Sequence, residues 1–169
     1  MKLVLATAAI ILVAAAVLLA GRERIWSLAF GPADLGPVQF TSLTLKDAPN
    51  QFLMCPPASA CAATPHATSP VFAVTEQALR SAIIKTWSAM ARTRLVAGGP
   101  EPASGEIRFV QYSRWLGFPD TVSIHTYPLD GNSATLAVYS RSQVGRSDLG
   151  VNRQRIEAWI AALALPSND

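Results

Sequence analysis

An uncharged run near the amino terminus constrains this chain more than any other feature. From Leu3 to Ala20, LVLATAAIILVAAAVLLA, eighteen residues pass with no charge and one hydroxyl, Thr7. As a helix the run is about 27 Å long, close to the ~30 Å hydrocarbon core of a bilayer. A helix buried in a soluble core would keep a polar face for solvent, and this run has none. Lys2 supplies the basic start of a secretory signal. However, the run exceeds the roughly 7–15 residues of an ordinary signal core. Leu18-Leu19-Ala20 also sets a bulky residue where a cleavage site prefers a small one. Residues 1–21 therefore read as a retained single span, an anchor or uncleaved signal.

Two features disagree on which side of the membrane carries the rest of the chain. Arg22 and Arg24, partly offset by Glu23, follow the run, and Lys2 precedes it. Counting Lys and Arg alone, the balance slightly favours a cytoplasmic domain. The only two cysteines, Cys55 and Cys61 in CPPASAC, point the other way. A close pair in a Pro/Ser/Ala loop fits a disulfide and an oxidising compartment. Closing so short a loop contributes roughly 2 kcal/mol. The expectation is a single-pass protein of the inner (cytoplasmic) membrane, its domain facing the periplasm or exterior. Cys55, Cys61 and His66 do not have the spacing of a zinc site, so no metal and no cofactor are expected.

Formal net charge is +3, with eleven arginines and lysine only at positions 2, 46 and 85. No Lys/Arg run and no aromatic-glycine RNA motif occurs, which argues against nucleic acid as a partner. The basic charge is local: Arg141, Arg146, Arg153 and Arg155 stand against Asp148.

Residues 22–50 read as a linker that partly packs on the domain, with Trp26 at headgroup level. Residues 51–70, rich in proline, carry no expected regular structure. VFAV from Val71 suggests a short strand. Thr75 caps a helix whose Leu79, Ala82, Ile83, Thr86, Trp87 and Met90 form one stripe, ending near Ala91. RTRLVAG, GEIRFVQYSRW, DTVSIHTYPL and SATLAVYSRSQV then read as strands.

In the last two strands Val122 and Ile124 share one face, and so do Leu136 and Val138. Directing both pairs to one core requires an odd-length connection around Asp130-Gly131. The final helix starts near Leu149 or Gly150, with Ser147 or Asp148 as its cap. Asn152, Ile156, Trp159, Ile160 and Leu163 form its stripe, with Arg153, Arg155 and Glu157 mainly off it. Sequential strands with short links pair antiparallel. The fold class is thus α+β, an antiparallel sheet with two helices on one face, preceded by the N-terminal span. The other face, with His125, Tyr127, Tyr139 and Arg141, is solvated, covered by residues 31–70, or used.

RFVQYSRWLGFPDTVSIHTYPL followed by LAVYSRSQVGRSDLGVNRQRIEAWI resembles the family catalogued as domain of unknown function 1499. The closing pattern is specific: Ser140-Arg141-Ser142, Gly145, Ser147-Asp148, Gly150 and Asn152 to Ile156. The resemblance covers most of residues 50–164, and Cys55 resembles a cysteine that usually precedes the family's first strand. It implies a domain at 51–165 and transfers no catalytic residue, since the family has no assigned activity.

Two functions follow. One is a membrane-anchored binding or assembly module of the cell envelope, recognising an anionic group, an anionic lipid or an envelope protein. Its candidate residues are Arg141, Arg146, Ser147, His125 and Tyr139, since arginines beside a helix N-terminus suit negative charge. Ser147 and Asp148 equally suit a purely capping role. The alternative is an envelope hydrolase or thiol-dependent enzyme using Cys55 or His125. An oxidised cysteine pair would remove the thiol nucleophile. Trp115, Leu116 and Phe118 lie in a strand connection, where they either fold over the sheet edge or touch a bilayer or partner.

Overall fold

The structure is a computed structural model that describes residues 21–57, 60–101 and 105–166, together with residues 7, 11 and 15. Among the described residues no helix is long and apolar enough to cross a membrane. The run from Leu3 to Ala20 lies outside them, except for Thr7, Ile11 and Ala15.

Residues 21–30 are helical and form α1. A 3-10 turn, Phe40–Ser42, precedes strands β1 (Gln51–Cys55) and β2 (Ala67–Thr68). Helix α2 (Glu76–Ser88) leads into β3 (Thr93–Ala97), β4 (Ile107–Tyr112), β5 (Pro119–Asp130) and β6 (Ser133–Ser142), and α3 (Val151–Ala161) closes the chain. The six strands form one sheet in the order β2-β1-β6-β5-β4-β3. Every neighbour pairs antiparallel except β1 with β2, which are parallel. The fold is α+β.

Two sequence expectations need correction here. Residues 51–70 do contain regular structure, because β1 is inserted beside β6 with Leu53 opposite Tyr139. All five β1 residues are buried. A strand covered on both faces shows no alternation, so its periodicity is silent. VFAV forms no strand: only Phe72 makes an isolated bridge, to Ala134.

The β5–β6 parity is as the apolar pattern requires, with Ile124 opposite Val138 and Thr126 opposite Leu136. Gly131 and Asn132 make the turn between Asp130 and Ser133, and a register shift between Pro128 and Asp130 restores the parity. The bulge does what an odd loop would otherwise do.

The first face of the sheet carries the main core. Phe52, Ile107, Phe109, Val122, Ile124, Leu136 and Val138 pack against Leu79, Ile83 and Trp87 of α2 and Ile156 and Trp159 of α3. Thr75 Oγ1 accepts from Ala78 N at 3.2 Å and caps α2. Trp87 donates its indole N–H to the Trp159 carbonyl at 3.0 Å, which ties the two helices together. Arg80, buried on α2, donates to the carbonyls of Gly105 and Gly99 at 2.9 Å each and so holds the β3–β4 connection.

The second face is covered by the chain's own 31–45 segment. Phe40, Leu53, Cys55, Ala137 and Tyr139 form a second cluster, with Val38, Leu43, Leu45 and Tyr127 against it. Asp34 accepts from Arg108 Nε at 2.7 Å and Nη2 at 2.9 Å, a bidentate pair. Arg141 is not free on this face: its Nη2 donates to Leu35 O at 3.2 Å and Gly36 O at 2.8 Å. Cys55 and Cys61 are joined by a disulfide, Cα to Cα 6.4 Å, at the edge of the cluster.

Residues 22–30 are docked on the domain. Trp26 donates its indole N–H to Leu116 O at 2.6 Å, and its ring lies 4.6 Å from that of Phe118. Glu23 pairs with Arg94 of β3 at 3.0 Å. Gln143 Nε2 donates to the carbonyls of Phe30 at 2.9 Å and Pro32 at 2.8 Å.

Candidate functional site

The joint between β6 and α3 must turn sharply, and its backbone shows how. Gly145 has φ +89° and Gly150 +80°, and Leu149 between them has φ +54°. Glycine adopts this region without strain, whereas leucine does so at a cost. Asp148 fixes the turn. One carboxylate oxygen accepts from Gly150 N at 3.0 Å, the other from Asn152 N at 2.8 Å. Gly150 holds the formal cap position and has no side chain to offer, so Asp148 serves from two residues upstream.

Beneath the joint lies a buried polar network. Asn152 Nδ2 donates to Asn50 O at 3.1 Å, Ser142 Oγ at 3.0 Å and Asp148 Oδ2 at 2.6 Å. Its Oδ1 accepts from Ser140 Oγ and from Arg155 Nη1. Arg155 also donates to Ser140 Oγ at 2.9 Å, to Gln111 Oε1 and, through Nη2, to Asp120 Oδ2. The Arg155 and Asp120 side chains are 5% and 10% exposed, so this ion pair is almost fully withdrawn from water. Such a pair persists only when the guanidinium's other donors are engaged, and Gln111, Ser140 and Asn152 engage them here.

Above the network a cavity of about 300 Å³ opens. Asp120, Ser142, Ser147, Asp148 and Ser113 give it polar groups, and Phe118, Val144 and Val151 give it apolar walls. The polar groups are carboxylates and hydroxyls, so the pocket offers hydrogen-bond acceptors above all. Arg155 neutralises Asp120 from below.

The sequence candidates do not converge on this place. Only Ser147 lines the cavity, while Arg146 beside it is exposed. His125 lies on the second sheet face with Tyr127, their rings 4.8 Å apart, and lines a smaller cavity of about 130 Å³ with Phe40 and Thr41. Tyr139 and Arg141 are within the second-face packing. Burial pushes the Tyr139 phenol up and the Arg141 guanidinium down from their ordinary values. His66 Nδ1 accepts from Leu53 N at 2.9 Å.

Asp120, Ser142, Asn152 and Arg155, none of them among the sequence candidates, form the network beneath the cavity. Asn152 stands in line with an apolar helix stripe, which is where an internally hydrogen-bonded polar residue betrays itself. Arg155, placed off that stripe by spacing, is buried instead, because its partners lie below α3 on β4, β5 and β6.

Compared with known protein families, residues 43–163 match the model of a protein of unknown function, DUF1499. The chain belongs to this family. No curated protein and no solved structure gives a match. The pattern from Ser140 to Ile156 lies within the matched residues. That pattern supplies Ser140, Ser142, Asn152 and Arg155 of the network and Gly145, Ser147 and Asp148 of the joint.

Proposed function

We propose that this DUF1499 domain is a membrane-anchored, extracytoplasmic binding module of the cell envelope. Its ligand site is the pocket above Asp120 and Asp148. The observation that carries the proposal is the pocket itself: the residues of the family pattern frame a cavity floored by acceptors and walled by apolar groups. Such a site suits a small amphiphile whose polar end brings donors, an ammonium or hydroxyl group, and whose apolar part meets Phe118, Val144 and Val151. An anion is the poorer fit, since two carboxylates border the space and Arg141 is engaged elsewhere.

The thiol-dependent form of the enzymatic alternative loses its nucleophile. A bridged Cys55 offers no thiolate. The bridge also supports an oxidising compartment, and with it the orientation outside the cytoplasm. The span at Leu3–Ala20 is the means of attachment.

Reporter fusions after Asp169 test the topology. An alkaline phosphatase fusion is expected to be active, and a reporter that matures only in the cytoplasm is expected to be inactive. The opposite result would refute the orientation.

A further inference from the structure

The β4–β5 connection and the β6–α3 joint each expose large apolar side chains. Trp115 is 73% exposed, Leu116 53% and Leu149 89%. Both segments border one cavity, through Ser113 and Phe118 on one side and Ser147, Asp148 and Val151 on the other. Arg114, its guanidinium 5.0 Å from the Trp115 ring centre, and Arg146 are exposed beside them. Leu149 is the sharpest of these. It holds a left-handed backbone that suits glycine or asparagine, and it sends a large apolar side chain into solvent. The turn that Asp148 fixes sets this backbone but does not call for a large apolar side chain there.

The position of these loops along α1 says what they meet. The Arg22 side chain lies against Gly117, so close that a β-carbon there would fall 2.6 Å from its Nε. Trp26 bonds to Leu116 O. At 1.5 Å per residue, Arg22 stands about 3 Å and Trp26 about 9 Å beyond Ala20. The headgroup layer outside the hydrocarbon core is roughly 5–8 Å thick on each side. Gly117, against Arg22, therefore falls within the headgroup layer, and Leu116, whose carbonyl meets Trp26, falls at its outer edge.

We infer that Trp115, Leu116 and Leu149 seat the domain in the headgroup layer of the membrane that holds its own anchor. Arg114 and Arg146 face lipid phosphates, and the pocket mouth opens at the lipid surface. Interfacial tryptophan, apolar side chains and arginine are the combination such a layer accepts. The inference rests on the reading of Leu3–Ala20 as a span. It adds that the domain lies on the bilayer rather than hanging free of it, so that the ligand enters from the membrane side.

Spin labels on the full chain test it, in membranes of phosphatidylethanolamine and phosphatidylglycerol. Leu116→Cys and Leu149→Cys take one label each, because the native cysteines are bridged. Leu129→Cys, 52% exposed at the far end of β5, is the control. Collisions with oxygen, which partitions into lipid, are compared with those of a water-soluble nickel chelate. At positions 116 and 149 the nickel collisions are expected to be severalfold lower than at 129, and the oxygen collisions higher. Equal nickel access at all three sites, with the chain surviving a carbonate wash, would overturn the seating and leave the anchor standing. Loss of both collision partners would mean burial in protein and would also overturn it. Release of the chain by carbonate would overturn both readings.

Discussion

Asp34 shows how one side chain fastens a segment with no secondary structure of its own. Its largest influence is burial, which works against ionisation. The Arg108 hydrogen bond, the Gly36 N–H and the fields of Arg108 and Arg141 together outweigh it, and the carboxyl titrates below its ordinary value. A lowered folded value stabilises above the unfolded one and loses that contribution as pH falls through the folded value. The Asp34 contribution is thus complete above 3.8, its ordinary value, and declines below it. Asp34→Asn is expected to lower the melting temperature at neutral pH, and the gap from wild type should close as the pH is taken below that value. A gap constant through acid pH would show that Asp34 holds the segment by shape rather than charge. Arg141 acts in the same place, and its two carbonyl acceptors explain why it points away from the main core.

At the scale of elements, the disulfide joins β1 to the loop that follows it. Its loop is short, with a sequence separation of 6. Constraining so short a loop contributes about 2 kcal/mol, or about 4–8 °C for a domain of this size. Thermal melts with and without reductant should differ by that amount, and identical melts would show that the bridge is energetically idle.

Elements with one face in the core were legible in the sequence. The stripe Leu79–Ile83–Trp87 gave α2, and alternation in Val122–Ile124 and Leu136–Val138 gave the β5–β6 pair with its parity. β1 was not legible, because QFLMC is buried on both faces and stands among prolines. The network was half legible. Asn152 and Arg155 lie within the quoted pattern, but their partners Asp120 and Gln111 come from strands whose pairing no local signal encodes. The cover on the second face was one of three readings, and Phe40 and Tyr139 decide among them only once folded together.

For the whole molecule, α1 docks on the β4–β5 connection, and the same connection borders the pocket. The Asn152–Arg155 network holds Asp120, Ser142 and Asp148 in place as that pocket's floor. Removing Asp120 would strand a buried guanidinium and so confuse binding with folding. Val151 is the better probe. It lines the cavity, begins α3 and is 46% exposed, so a larger side chain fills the space with little strain on the core. The most direct measurement is native mass spectrometry of the full chain, wild type and Val151→Trp, extracted from native membranes. The account expects a bound species carrying an amine or hydroxyl group on the wild type and its loss from Val151→Trp, with melting temperatures unchanged. A bare wild-type chain, or the same species held equally by both, would contradict it.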